Sequence, residues 1–197
     1  METPRQHEAL FADLTDLWRT TELCLPSHEV CGAVTFCPRG QETLQEDWLG
    51  WLAGTRSQIL RGAFLDLHRH ASEQSFAALL GADAALGAAL PESAARASLV
   101  EGRRALLGFT PPRGAKLIER LREAADLNET AGHLATVFAA RAQAFHIPAV
   151  QAETALVLAE CILGANSVGL TLPAARTADL MAAAFAVAPA PAQLVAV

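Results

Sequence analysis

The chain has 197 residues, 52% of them hydrophobic and 18% charged, with a formal net charge of −6. That length accommodates one ordinary domain or two small ones, and the apolar content excludes disorder over most of it. The acidic balance argues against a general nucleic-acid binder, which needs clustered Lys and Arg to neutralise phosphate.

Ala and Leu make up about a third of the residues, Tyr is absent, and Lys occurs once, at Lys116. Ala and Leu lead helix propensity and β-branched residues are sparse, so the expected fold is all-α. Apolar residues at helical spacing place a helix over 4–21, with Leu10, Phe11, Leu14, Leu17 and Trp18 on one face. Residues 22–40 differ in character. They carry Pro26, Gly32, Pro38 and Gly40 among Val30, Val34, Thr35 and Phe36, and suit a loop or short extended stretch. Periodicity resumes at Thr43 and runs to about His70 through Leu44, Trp48, Trp51, Leu52, Ile59, Leu60, Phe64 and Leu67, with Gly50 or Gly54 able to split it. Ser72 to Leu90 reads as one or two short Ala-rich helices.

Pro91 opens the next helix, which reaches Leu107 and stops at Gly108. After a Thr110-Pro111-Pro112 linker, a helix runs from Arg113 or Gly114 to Leu127. Its basic residues Arg113, Lys116, Arg120 and Arg122 alternate with Glu119 and Glu123, as on a solvated face. Asn128 is placed to cap a helix over 129–145, Pro148 starts another to about Gly169, and Pro173 a last one to about Val187. The expectation is a single all-α domain of seven to nine helices over 1–188, containing the irregular Cys-bearing segment 22–40, followed by a Pro- and Ala-rich tail over 189–197.

The N-terminus runs into Glu8, Asp13 and Asp16 rather than an apolar core, so no secretory signal is expected. Residues 149–170 come nearest to a membrane span but include Gln151, Glu153, Glu160 and Asn166, and Pro189 and Pro191 break the apolar C-terminus. A cytoplasmic protein is the reading, and four cysteines there point away from disulfides.

Cys24, His28, Cys31 and Cys37 fall within fourteen residues. Thiolate and imidazole are the usual zinc ligands, and four of them could close a tetrahedral site. The spacing C-x3-H-x2-C-x5-C is neither a standard finger nor the tight ferredoxin run, and buried structural cysteines are the commoner outcome. His68 and His70 lie two apart on different faces of a helix, whereas Asp66 and His70 have the i, i+4 spacing of a weak two-ligand face. His133 and His146 flank a predicted helix. No Ser-His-Asp spacing, nucleophile elbow or Gly-rich phosphate cradle appears, so no enzyme mechanism has visible residues to run on. Glu153 and Glu160, seven apart on the most apolar helix, project from nearly one face. Burial of a carboxylate is costly, so that face, continued by Asn166 and Pro173, is read as a surface or partner contact.

Three stretches carry a family resemblance. Arg96-Ala97-Ser98-Leu99-Val100-Glu101-Gly102-Arg103-Arg104-Ala105-Leu106-Leu107 pairs a Glu with Gly-Arg and aliphatics. His133-Leu134-Ala135-Thr136-Val137-Phe138 leads to His146-Ile147-Pro148. Leu158-Ala159-Glu160-Cys161-Ile162-Leu163-Gly164-Ala165-Asn166-Ser167-Val168-Gly169-Leu170-Thr171-Leu172-Pro173 ends in a proline. In order and spacing, residues 93–184 resemble the C-terminal half of the urease accessory protein F family (UreF). The chain departs from that pattern at Ala174 and Ala175, where the family has Gly-Gln, and at Gly169 or Leu170, where it has Lys. Of the family's N-terminal signature only Leu25-Pro26 remains.

The resemblance implies an all-α, non-enzymatic maturation factor without a cofactor of its own. It would dimerise, bridge accessory proteins of the UreD and UreG type, and help place nickel in a metalloenzyme client. The apolar stretch after Leu180 fits a segment that orders against a partner. Two other classes compete with this reading. One is a metal or iron–sulfur protein built on Cys24, His28, Cys31 and Cys37. The other is a helical ligand-binding regulator with a pocket lined by Trp48, Trp51, Phe64 and Phe138.

Overall fold

In a computed structural model, which describes residues 15–25, 34–108, 110 and 115–187, every regular element is helical. Residues 15–24 form α1. They are followed by α2 (Leu44–Trp51), a π-helical stretch (Leu52–Leu60), α3 (Arg61–Ser72), α4 (Phe76–Ala89), α5 (Glu92–Gly108), α6 (Lys116–Asp126), α7 (Leu134–Ala144), α8 (Ala149–Ser167) and α9 (Ala174–Val187). The all-α expectation therefore holds, within the seven to nine helices anticipated. Residues 1–14, 26–33 and 188–197, with the predicted start of the first helix and the tail, lie outside the described residues.

The architecture follows from which helices are apolar all round. From Leu134 to Ala142 every residue of α7 is buried, and Ala135, Ala139, Ala140 and Ala142 let neighbouring helices come close. Around it pack α3, α5, α6 and α8, while α8 also contacts α3 and α9. α6 is the opposite type: Leu117, Ile118, Leu121, Ala124 and Ala125 face the core and its charges face outward. The buried side chains of all these helices join into one continuous core.

Two glycines permit contacts no other residue could. A Cβ on Gly102 would lie 2.2 Å from the Gly132 carbonyl oxygen, so α5 meets the 130–133 turn backbone to backbone. A Cβ on Gly164 would lie 2.2 Å from Cδ1 of Phe36, whose ring rests on α8 there.

Several element boundaries differ from the sequence expectation. Neither Gly50 nor Gly54 splits the 43–70 helix; instead its register widens to π over Leu52–Leu60 and returns to α at Arg61. The Ala-rich 72–90 region, expected as one or two helices, is one, α4. Asn128 does not cap α7. It sits at φ 58°, with Asn128 N bonded to Ala125 O (3.2 Å) and Glu129 N to Ala124 O (2.8 Å), which is the Schellman stop of α6. α7 begins at Leu134, five residues after the expected start at 129. Gln74 and His146 end α3 and α7 in the same left-handed way, at φ 55° and 56°. Cys24, expected in irregular chain, is the last helical residue of α1.

Candidate functional site

Segment 34–38 has no regular structure, yet Val34, Thr35, Phe36 and Pro38 are all buried. Phe36 is its anchor. The ring lies edge-on to Trp48 (centroids 4.9 Å apart) and tilted against Trp51 (5.7 Å), and the two indoles stack at 5.0 Å. Its backbone N–H donates to Glu160 Oε2 on α8 at 2.9 Å. Glu160 is almost fully enclosed, and burial pushes its carboxyl up to about 7, partly opposed by the donors of Phe36 and Thr35.

Two turns back along α8, Glu153 receives Arg56 from the π-helical stretch, with Nε to Oε1 at 3.0 Å and Nη2 to Oε2 at 3.2 Å. Both side chains are less than a tenth exposed. Arg56 Nη1 also donates to Ala184 O in the last turn of α9 (3.2 Å), where a helix carbonyl lacks an intrahelical donor. Trp48 Nε1 adds a bond to Leu180 O at 2.8 Å. The carboxylates expected to face outward therefore face inward, each met by a donor far away in the chain: the Arg56 cation offsets the cost of burying Glu153, whereas the Phe36 N–H offsets that of Glu160 only in part. Asn166 is exposed, on a crevice of about 60 Å³ between α1 and α8 that Trp18 and Leu163 also line. Pro173 is exposed, with its carbonyl accepting Thr177 N at 3.0 Å. The four do not form one surface.

Of the proposed metal ligands, Cys24 is wholly enclosed, and burial lifts its thiol to about 12, with Arg141 acting in the opposite sense. Cys37 is exposed; its thiol donates to Val34 O at 3.1 Å and is raised by burial and by Glu160. His28 and Cys31 lie outside the described residues. Among the described residues no three His, Cys, Asp or Glu side chains come together as a metal site. Asp66 pairs with Arg69 (3.1 Å), and His68 Nε2 bonds Ile147 O at 2.9 Å. Trp48, Trp51, Phe64 and Phe138 are buried in the core; Phe64 and Phe138 meet edge to face at 6.2 Å.

Sequence reasoning missed Asp83, the one charge in the apolar α4. That isolation was the available signal. Its carboxylate accepts Thr130 Oγ1 (2.7 Å), Gly132 N (2.9 Å), His133 N (3.0 Å) and Thr136 Oγ1 (2.5 Å). Together with Ser98 Oγ, which accepts Leu134 N at 3.1 Å, it caps α7 from two other helices. Burial raises the Asp83 carboxyl, but the four donors outweigh it and leave it below the ordinary carboxylate range. His133 is lowered by burial, against the pull of Asp83.

The outer edge of α5 and α6 is different in kind. Val100 is 50% exposed, Leu107 70% and Leu127 69%. An open groove of about 810 Å³ runs along α5 past Arg96, Val100 and Arg104, and a smaller hollow between α5 and α6 is rimmed by Arg103, Leu107 and Arg122. No helix among the described residues is long and apolar enough to cross a membrane. Comparisons of the chain with protein-family models, curated proteins and solved structures return no match.

Proposed function

We propose that the chain is a non-enzymatic maturation factor that assists nickel metallocentre assembly in a urease-type enzyme through protein–protein contacts. Its partners on this reading are accessory proteins of the UreD and UreG type, and a second copy of itself. The observation that carries the reading is the α5–α6 edge. Two large aliphatic side chains, Val100 and Leu107, seven residues apart on one face of α5, stand half or more exposed there, with Arg104 on the groove past Val100 and Arg103 and Arg122 on the hollow past Leu107. Apolar centres rimmed by arginine are the common composition of protein interfaces. The buried carboxylates Asp83, Glu153 and Glu160 each hold one element against another, and Arg103 and Arg122 brace the edge itself by donating to the Ala131 and Leu106 carbonyls. The resemblance over 93–184 supplies the partner class, and its first stretch is α5 itself.

The metal-protein alternative has less support, because Cys24 would have to leave the core and lose a proton from a thiol held near 12 before it could bind a metal. Size-exclusion chromatography with light scattering on mixtures with UreD- and UreG-type proteins tests the proposal. Co-elution is expected, and Val100→Asp with Leu107→Asp should abolish it without changing the helical circular dichroism. Separate elution of the unaltered chain from both partners would overturn the proposal.

A further inference from the structure

We propose that Glu160 is a pH-sensitive latch holding segment 34–38 against α8, closed most firmly in acid and loosening as pH rises through neutrality. The inference is independent of the partner reading above.

The geometry carries it. Segment 34–38 lacks the internal hydrogen bonds of a helix, and Phe36 reaches α8 through its N–H bond to Glu160 Oε2 and its ring on Gly164. A carboxyl enclosed to this degree disfavours its charged form unless a cation stands beside it. What acts on Glu160 is the pair of donors from Phe36 and Thr35, neither of them cationic. The elements packed around α8 carry Asp16, Arg19, Glu22 and Cys24 on α1, Cys37 beyond the segment's anchor, Arg56 on the π-helical stretch, Arg61, Asp66, His68, Arg69 and His70 on α3, Arg141 on α7, and Arg176 and Asp179 on α9, with Glu153 and Cys161 on α8 itself; none of these is among the groups that act on Glu160. Glu160 for its part raises the Cys37 thiol. Arg141 acts on Cys24, and Arg56 is engaged by Glu153 and Ala184.

Opening the segment lets water reach the carboxyl and returns it towards its ordinary value of 4.5, from about 7 when closed. The closed form therefore holds its proton more tightly, and raising the pH between those values favours the open form. Between pH 5.5 and 8.5 the open population should rise roughly 30-fold, levelling off above pH 7 to 8.

Hydrogen exchange of the Phe36 amide in the full chain, corrected for its intrinsic rate, measures that population directly. The expectation is a roughly 30-fold loss of protection across this range in the unaltered protein, and a flat profile in Glu160→Gln, whose amide oxygen still accepts the Phe36 N–H. A flat profile in the unaltered protein, or an equal slope in the variant, would overturn the proposal. Should Glu160→Gln not fold, NMR of the unaltered protein decides instead. One glutamate carboxyl and the Phe36 amide proton must share a midpoint near 7, and a glutamate set titrating wholly near 4 to 5 would contradict the latch.

Discussion

Glu160 and Asp83 are both buried carboxylates, and they tie stability to pH in opposite directions. Glu160 is held above its unfolded value of 4.5, so its contribution is full below that pH and is lost as pH rises to about 7, a change of about 3 kcal/mol. Asp83 is held below 3.8, so its contribution is present above that value and is lost as pH falls through the lower folded value. Chemical denaturation of Glu160→Gln should thus show greater stability than the parent at pH 8 and little difference at pH 4.5. Glu160→Ala leaves the Phe36 N–H unpaired and should cost about 1–3 kcal/mol at pH 4.5, where the parent side chain is neutral. Asp83→Ala orphans four donors at once and should cost about 3 kcal/mol or more, with Asp83→Asn intermediate. What could be read in advance at this scale was limited. The seven-residue spacing correctly put Glu153 and Glu160 on related faces, but which way they point depends on Arg56 and Phe36, 97 and 124 residues away. No local pattern encodes such a pairing.

The helix starts marked by proline were legible in the sequence. Pro91, Pro148 and Pro173 each stand one residue before the helix they were expected to open, because proline's fixed φ and missing N–H suit a first turn. Stops were legible in place but not in kind: those expected at Gly108, Leu127, 145 and Val187 fall within a residue of the observed ends, yet Gln74, Asn128 and His146 close their helices in the left-handed region that glycine usually occupies. Such positions store roughly 1 kcal/mol each, so His146→Gly should raise stability by about that amount in a urea titration. The π-helical stretch was invisible to periodicity, but its Arg56 ties α8 to α9. Arg56→Met alone strands Glu153 in the core and should cost about 3–5 kcal/mol. Arg56→Met with Glu153→Met should recover most of that loss, a coupling that a double-mutant cycle reads out. Gly102→Ala presses a methyl into the Gly132 carbonyl and should cost about 1–3 kcal/mol or more, whereas Gly50→Ala, with nothing within 4 Å, should stabilise by about 0.5–1 kcal/mol.

At the scale of the molecule, composition was enough for the fold class: a chain rich in Ala and Leu and poor in β-branched residues has little else to build. Residues 93–184 carry α5 to α9, so the resembling half supplies the central α7 and α8 as well as the exposed α5 edge. The edge itself could not be foreseen, because Val100 and Leu107 look like core residues until neighbours are known. Long-range polar ties hold the inside of the protein, and the proposed function lies on that outer edge. The most direct test is the nickel content and activity of a urease matured, with the accessory proteins of the same organism, in cells whose own F-type factor has been deleted. This chain should restore nickel loading, and Val100→Asp with Leu107→Asp, still folded, should not. Nickel content that stays at the deletion level with the unaltered, folded chain present would contradict the proposed function.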